Sequence, residues 1–262
     1  GYMHEIEGLN REDALTYYRR FYTPENAILV VAGDVTKDEV VNLANETFGK
    51  IPARGEKPVR VRPREPDPRS TRRVTLADPK VEQPSLQLAW LAPSYTTANK
   101  GEAEALEVLV QLIGASGTGR LHRKLVMDEA VAVAAGAWYQ STAVDRSRLL
   151  VYGVPRPGIT LEALEERVLA VLEDMAKHPV EADELRRAKT RLVADAIYAQ
   201  DSQSSLARMY GSALATGSTV DDVKSWPDAI EAVDAAAVQK AAQTCLNRHR
   251  MVTGYLMKDE AA

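Results

Sequence analysis

The sequence predicts an α+β fold, with helices packed on one face of a mostly antiparallel sheet. Three observations predict it. Apolar residues recur at helical spacing through 99–113, 160–177, 181–199 and 234–246. Short strand-like runs lie between these stretches, and those at 130–140 and 146–154 are joined by a short turn, as an antiparallel pair requires. Finally, several helices run consecutively between paired strands, the pattern of a helical layer on a sheet.

Residues 10–22 read as a helix, with Asn10 as N-cap, Asp13 three residues on, and Ala14, Leu15, Tyr18 and Phe21 at helical spacing. Pro24 ends it. The continuous apolar run Ala27, Ile28, Leu29, Val30, Val31, Ala32 suits a buried strand. A helix follows from about Lys37 to Phe48. Strands are expected at 73–77 and 85–92. Helices are expected at 99–113 and, after the turn from Gly114 to Gly119, at 120–128. Beyond the strand pair, helices cover 160–177, 181–199 and 202–216, with a shorter one near 220–225. A helix at 234–246 and a strand at 249–256 close the chain.

Composition divides this series. Prolines at 52, 58, 63, 66 and 68 alternate with arginines at 54, 60, 62, 64 and 69, so 52–72 reads as an extended basic linker. No aromatic residue is interleaved, which argues against a nucleic-acid arm. The expected organisation is therefore 1–51, a linker at 52–72, and a larger domain at 73–262. The net charge of -4 disfavours a general phosphate-backbone binder, and no apolar run is long enough to span a bilayer. The chain starts at Gly1 without Met and reads as a processed fragment whose targeting segment would lie upstream. Its single cysteine, Cys245, reads as a buried, inert thiol.

The chain ends as it begins. Shifted by 224 positions, residues 10–34 fall on 234–258: Asn10 meets Asp234, Ala14 meets Val238, Phe21 meets Cys245, and Ala27 to Val30 meet Met251 to Gly254. Two copies of one unit are expected, the first without its front. An isolated strand leaves backbone donors and acceptors unpaired, so that copy is expected to be incomplete.

The first thirty-five residues carry a more specific likeness. Gly1-Tyr-Met-His-Glu-Ile6, Asn10-Arg-Glu-Asp13, Tyr17-Tyr-Arg-Arg20-Phe-Tyr22, Pro24-Glu-Asn26 and Val30-Val-Ala-Gly-Asp34 resemble a stretch of bacterial M16 zinc peptidases, the pitrilysin- and mitochondrial-processing-peptidase-like family. The glycine-rich turn with Arg120-Leu121, and the later Trp138-Tyr139, resemble that family's second subdomain. The resemblance implies the LuxS/MPP-like α+β unit, preceded by the tail of a similar unit. It also implies peptide-bond hydrolysis by a parent protein. The family's His-x-x-Glu-His helix binds zinc and activates water. Its order and spacing put that motif before Gly1. The four histidines here, His4, His122, His178 and His249, match no such motif, so no zinc is expected in this chain itself and zinc is expected in the parent.

The family's substrate-contacting arginine and tyrosine fall, on alignment, at Val126 and Val133, neither of which donates a hydrogen bond. Some family members are two-chain systems in which one chain brings zinc and the other this pair. The resemblance thus implies three partners: a peptide substrate, the missing N-terminal half, and a second subunit carrying the pair. The resemblance implies a substrate-side loop at Gly117, Gly119 and Arg120, while the residues by themselves read most simply as a turn into the next helix. That loop lacks the Gly-Lys-Ser/Thr end of a phosphate-binding loop. The charge run of Glu181, Asp183, Glu184, Arg186, Arg187, Lys189 and Arg191 reads as a solvated helix face. Trp90, Trp138 and Trp226 are expected in core or interface, with Trp138 and Tyr139 on opposite strand faces.

The expected function is that of the non-catalytic, substrate-enclosing half of a zinc metalloendopeptidase. The alternatives are a non-enzymatic assembly subunit derived from the same family and a peptide-binding module that uses a sheet edge. The resemblance is to bacterial proteins, and periplasmic and cytoplasmic placements both stay open.

Overall fold

The computed structural model describes residues 2–57, 59, 61, 66–115 and 117–259. By internal contacts the chain forms two units: Gly1–Glu65 with Ser202–Gly211, and Pro66–Asp201 with Ser212–Ala262. Within the expected linker, positions 58, 60 and 62–65 lie outside the described residues.

The first unit holds helices Met3–Glu7 (α1), Arg11–Phe21 (α2) and Lys37–Glu46 (α3), with single 3-10 turns at Pro24–Asn26 and Phe48–Lys50. Asn10 caps α2 as its sequence predicts. Its side chain accepts from the Glu12 and Asp13 amides at 2.8 and 3.2 Å, and Asp13 accepts from the Asn10 amide at 3.0 Å. Thr36 and Glu39 repeat the arrangement at α3. The expected strand at 27–32 does not form. Its backbone has no strand partner among the described residues of this unit, and a lone extended segment cannot complete a ladder. Ile28, Leu29 and Val31 are exposed instead.

The second unit is a five-stranded sheet under a helical layer. The strands are Arg72–Asp78 (β1), Ser85–Ala92 (β2), Ala132–Tyr139 (β3), Ser147–Pro155 (β4) and Met251–Lys258 (β5), in the order β1-β5-β2-β4-β3. β1 runs parallel to β5, and every other neighbouring pair is antiparallel. The unit's helices are Glu102–Ile113 (α4), Leu161–Lys177 (α5), Ala182–Ala199 (α6), the last turn of Gln203–Thr216 (α7, whose residues up to Gly211 count with the first unit), Val220–Glu231 (α8) and Ala235–Cys245 (α9). Strand alternation sets the faces. Leu86, Leu88 and Trp90 of β2 and Leu149 and Val151 of β4 are buried. They share one core with Leu106, Leu109 and Ile113 of α4, Leu164, Val168 and Leu172 of α5, and Val238 and Ala242 of α9. Each such aliphatic side chain contributes roughly 1.5–3 kcal/mol relative to an exposed one.

Two helices depart from expectation. The helix expected near 220–225 runs on to Glu231, through Pro227, although proline cannot donate to the preceding turn. Ile230, fully buried, and Trp226, packed against the core, hold the continuation in place. The helix expected at 120–128 is wound as a π-helix over His122–Asp128, with the Glu129 amide reaching the Lys124 carbonyl at 2.9 Å.

Two carboxylates, Glu165 buried and Glu107 half-buried, fasten this layer. Glu165 of α5 accepts from Thr253 (2.8 Å) and Tyr255 of β5 and from Arg73 of β1 (2.6 Å). Glu107 of α4 accepts from the Tyr95 hydroxyl at 2.9 Å and the Trp226 indole N–H at 2.8 Å. Loss of solvation is the largest influence on Glu107 and raises its pKa, outweighing the hydrogen bonds that favour the charged form. Trp90 is in the core, donating to the Asn247 carbonyl at 3.0 Å. Trp138 and Tyr139 do face opposite ways: Trp138 is exposed beneath Arg148, while Tyr139 donates to the Pro93 carbonyl. Cys245 is buried, and desolvation pushes its thiol up to about 12.

Candidate functional site

The glycine turn between α4 and the π-helix is built by close backbone approach. A Cβ on Gly119 would lie 2.5 Å from the Gly114 Cα, and one on Gly114 would lie 3.0 Å from the Gly136 Cα of β3. The Gly114 carbonyl accepts from the Ala137 amide at 3.1 Å, which ties the turn to the sheet. These glycines are needed for proximity, since larger residues would push three backbone segments apart. Gly117 differs, because nothing lies within 4 Å of where its Cβ would be.

Arg120 follows the turn and points at α6. Its guanidinium meets both carboxylate oxygens of Glu184, at 2.9 and 2.7 Å, and Asp174 at 3.4 Å. The Glu184 bond is the largest influence holding Arg120 charged. This bidentate fork fixes the turn, the π-helix and α6 as one frame. The charge run on α6 is accordingly only in part a solvated face. Asp183 pairs along the helix with Arg186 and Arg187. Glu184 and Lys189 turn to other elements, Lys189 donating to the carbonyls of Glu231 and Val233. Compact partners on neighbouring elements attract these two groups more than their helical neighbours do.

The π-helix buries Leu125, half-buries Val126 and exposes Arg123, Lys124 and Met127. Val133 stands half-exposed on β3, across the bulge at Ala132/Ala134. Both valines thus sit on well-formed elements, and their side chains offer this surface no polar group. Depressions of about 590 and 690 Å³ lie beside α6, and Arg123, Glu184 and Arg187 line both. The sequence signalled Arg120 as a loop residue and those on α6 as a charge run. The role of Glu184 as a cross-element partner had no local signal, because Arg120 is far away in the chain.

The histidines do not fit a zinc centre. They lie on α1, on the π-helix, after α5 and in the turn before β5, and the Nδ1 of His178 is engaged by Asp174 at 2.8 Å. No group of three or more His, Cys, Asp or Glu is placed to hold a metal ion among the described residues. Among the same residues, no helix is long and apolar enough to cross a membrane.

Comparison with known proteins agrees with this architecture. Residues 8–192 match the family described as the peptidase M16 inactive domain. A zinc protease of Helicobacter pylori, PqqE, is 26% identical over 216 residues, covering 82% of this chain and 48% of the relative. An uncharacterized zinc protease of Mycobacterium leprae is 28% identical over 224 residues, covering 83% and 48%. The chain thus spans about half the length of the curated relatives it matches. Among solved structures, a protease from Helicobacter pylori superposes with a TM-score of 0.87 at 23% identity, over 98% of this chain and 61% of that one. An M16 inactive domain from Pseudomonas fluorescens gives 0.80 at 17% identity, over 100% and 61%. These superpositions establish the α+β fold.

Proposed function

Because this chain belongs to the peptidase M16 inactive-domain family, we propose that it is the non-catalytic half of a zinc metalloendopeptidase, enclosing peptide substrate and forming the interface with the zinc-bearing half. The observation that carries this reading is the helix-free face of the sheet. Register places Val74 and Leu76 of β1, Leu91 of β2, Tyr152 of β4 and Trp138 of β3 on that face, and all five are exposed. Exposed apolar side chains gathered on one face of a sheet mark an interaction surface. The histidine arrangement and the valines at 126 and 133 support a role without chemistry of its own. In this reading the chain's residues bind and orient an extended peptide and exclude water, and zinc in the parent supplies the activated water.

The purified chain is expected to bind unstructured peptides, to leave them intact and to carry no stoichiometric zinc. Fluorescence anisotropy, mass spectrometry of the peptide and metal analysis check the three points. Chelator-sensitive cleavage by the pure chain would sink the reading, as would failure to bind any peptide.

A further inference from the structure

The smaller depression, about 590 Å³, lies between the end of α4, the glycine turn and α6. Its lining carries Arg123, Arg186, Arg187 and Arg191 against Glu184 and Asp195, a basic surplus in a protein whose net charge is -4. Most of these charges are engaged. Glu184 holds Arg120, and Arg186 and Arg187 both turn to Asp183. The guanidinium groups of Arg123 and Arg191 are not. Among the described residues neither forms a hydrogen bond or ion pair, although Asp195 lies one turn beyond Arg191 on α6. Between them the groove has an apolar side at Leu112 and Ala188, both buried.

We infer that this groove is a carboxylate subsite for peptide, with Arg123 and Arg191 as its two donors. The inference rests on the proposed function for its ligand, a peptide, and adds a second site, because this groove lies in the helical layer and not on the exposed face of the sheet. A guanidinium offers a planar fork of N–H donors that matches a carboxylate, and two such forks from different elements fix its position. The Arg120–Glu184 fork supports this by holding the π-helix, and so Arg123, against α6. The apolar side suits the chain of a peptide beside its charged group. The carboxylate comes either from an aspartate or glutamate side chain or from a peptide C-terminus.

The test uses the full chain and labelled peptides of one neutral, amidated sequence. One version adds internal aspartates, and another has a free C-terminal carboxylate. Anisotropy is expected to show a carboxylate-bearing version binding on the order of tenfold tighter than the neutral one, an advantage that shrinks with salt. Which version gains identifies the source. Combining Arg123→Glu with Arg191→Glu is expected to abolish the advantage and leave neutral binding unchanged. Both residues are exposed, so folding should survive; Arg123→Gln with Arg191→Gln gives the same comparison without charge reversal. Arg167→Glu, in the other depression, should leave the advantage intact. Equal binding of all peptides, or an advantage that persists in both double variants, overturns the subsite. Neutral peptide that still binds in that case leaves the proposed function standing, whereas loss of all peptide binding removes both.

Discussion

Residues 10–34 and 234–258 begin alike and end differently. Shifted by 224, α2 (Arg11–Phe21) falls on α9 (Ala235–Cys245), and the 3-10 turn Pro24–Asn26 falls on the turn Arg248–Arg250. Both helices start at a side-chain cap, Asn10 or Asp234. The copies then part. From Met251 the second becomes β5, hydrogen-bonded to β1 on one side and β2 on the other. From Ala27 the first has no strand partner among the described residues, with Ile28 50% and Leu29 53% exposed, whereas Thr253 is 0% exposed. Helix, cap and turn are set within their own few residues; a strand is completed only by its neighbours. The more apolar of the two strand segments is the one that fails to form a strand, so local hydrophobicity did not decide the outcome.

The largest expected effect tests that contrast directly. Tyr255 is buried in β5 and donates to Glu165, while Val31, its counterpart, is exposed. Tyr255→Ala should cost roughly 3–5 kcal/mol, from the lost ring and a weakened set of donors around a buried carboxylate. Val31→Ala should stay within about 0.5 kcal/mol, as for an ordinary surface position. Urea unfolding followed by tryptophan fluorescence reads both, since all three tryptophans lie in the second unit. Comparable losses from the two variants would break the comparison.

The two units should also differ in the sign of their pH dependence. In the first, hydrogen bonds lower the pKa of Glu25, chiefly from its own backbone, and of Glu39, chiefly from the Thr36 hydroxyl. A lowered folded pKa gives stability that is present above the ordinary carboxylate range and lost as pH falls. Glu107 in the second unit runs the other way. Burial raises its folded pKa, so its contribution is complete at pH below the ordinary carboxylate value of 4.5 and is lost as pH rises through the raised one. Glu107→Gln keeps an acceptor for Tyr95 and Trp226 without the charge. Its stability relative to the unaltered protein should therefore increase steadily from acid to neutral pH. A gap that does not change with pH would show that Glu107 titrates normally.

Much of this was legible in the sequence, and the divisions are physical. Apolar periodicity located α4, α5 and α9 because each buries a stripe against the sheet, and α6 because it packs on α4 and α8; the β3–β4 pair was readable from its short connection. The glycine turn was readable as a turn. Its reason was not, because the crowding is between Gly119, Gly114 and Gly136, and the last of these comes from another strand. Arg120 was read as a loop residue available to substrate, and the structure gives it Glu184, sixty-four positions away. The same holds for Glu165 and Glu107: their donors arrive from β1 and β5, and from the loop after β2 and α8, so no window of sequence contains either set. The π-winding of 122–128 likewise had no local sign.

The smallest expected effect uses the one feature that both copies share. Removing an N-cap side chain costs about 1 kcal/mol where the helix is part of a cooperative unit, because an amide in its first turn loses its acceptor. Asp234 accepts from the Ala237 amide at 2.7 Å, and α9 packs on α4 and α5 through the buried Val238 and Ala242. Asp234→Ala should therefore lower the urea midpoint of the second unit by the equivalent of that amount. Asn10 makes the better local cap, with two amides accepted and Asp13 returning the bond. Yet α2 buries none of its residues, so Asn10→Ala has no cooperative core to weaken. It should fray α2, seen as faster amide hydrogen exchange over Arg11–Leu15, and leave the second unit's midpoint unmoved. If Asn10→Ala shifts that midpoint as far as Asp234→Ala does, the first copy is energetically part of the second unit's core, and the contrast between the strand segments reflects exposure alone.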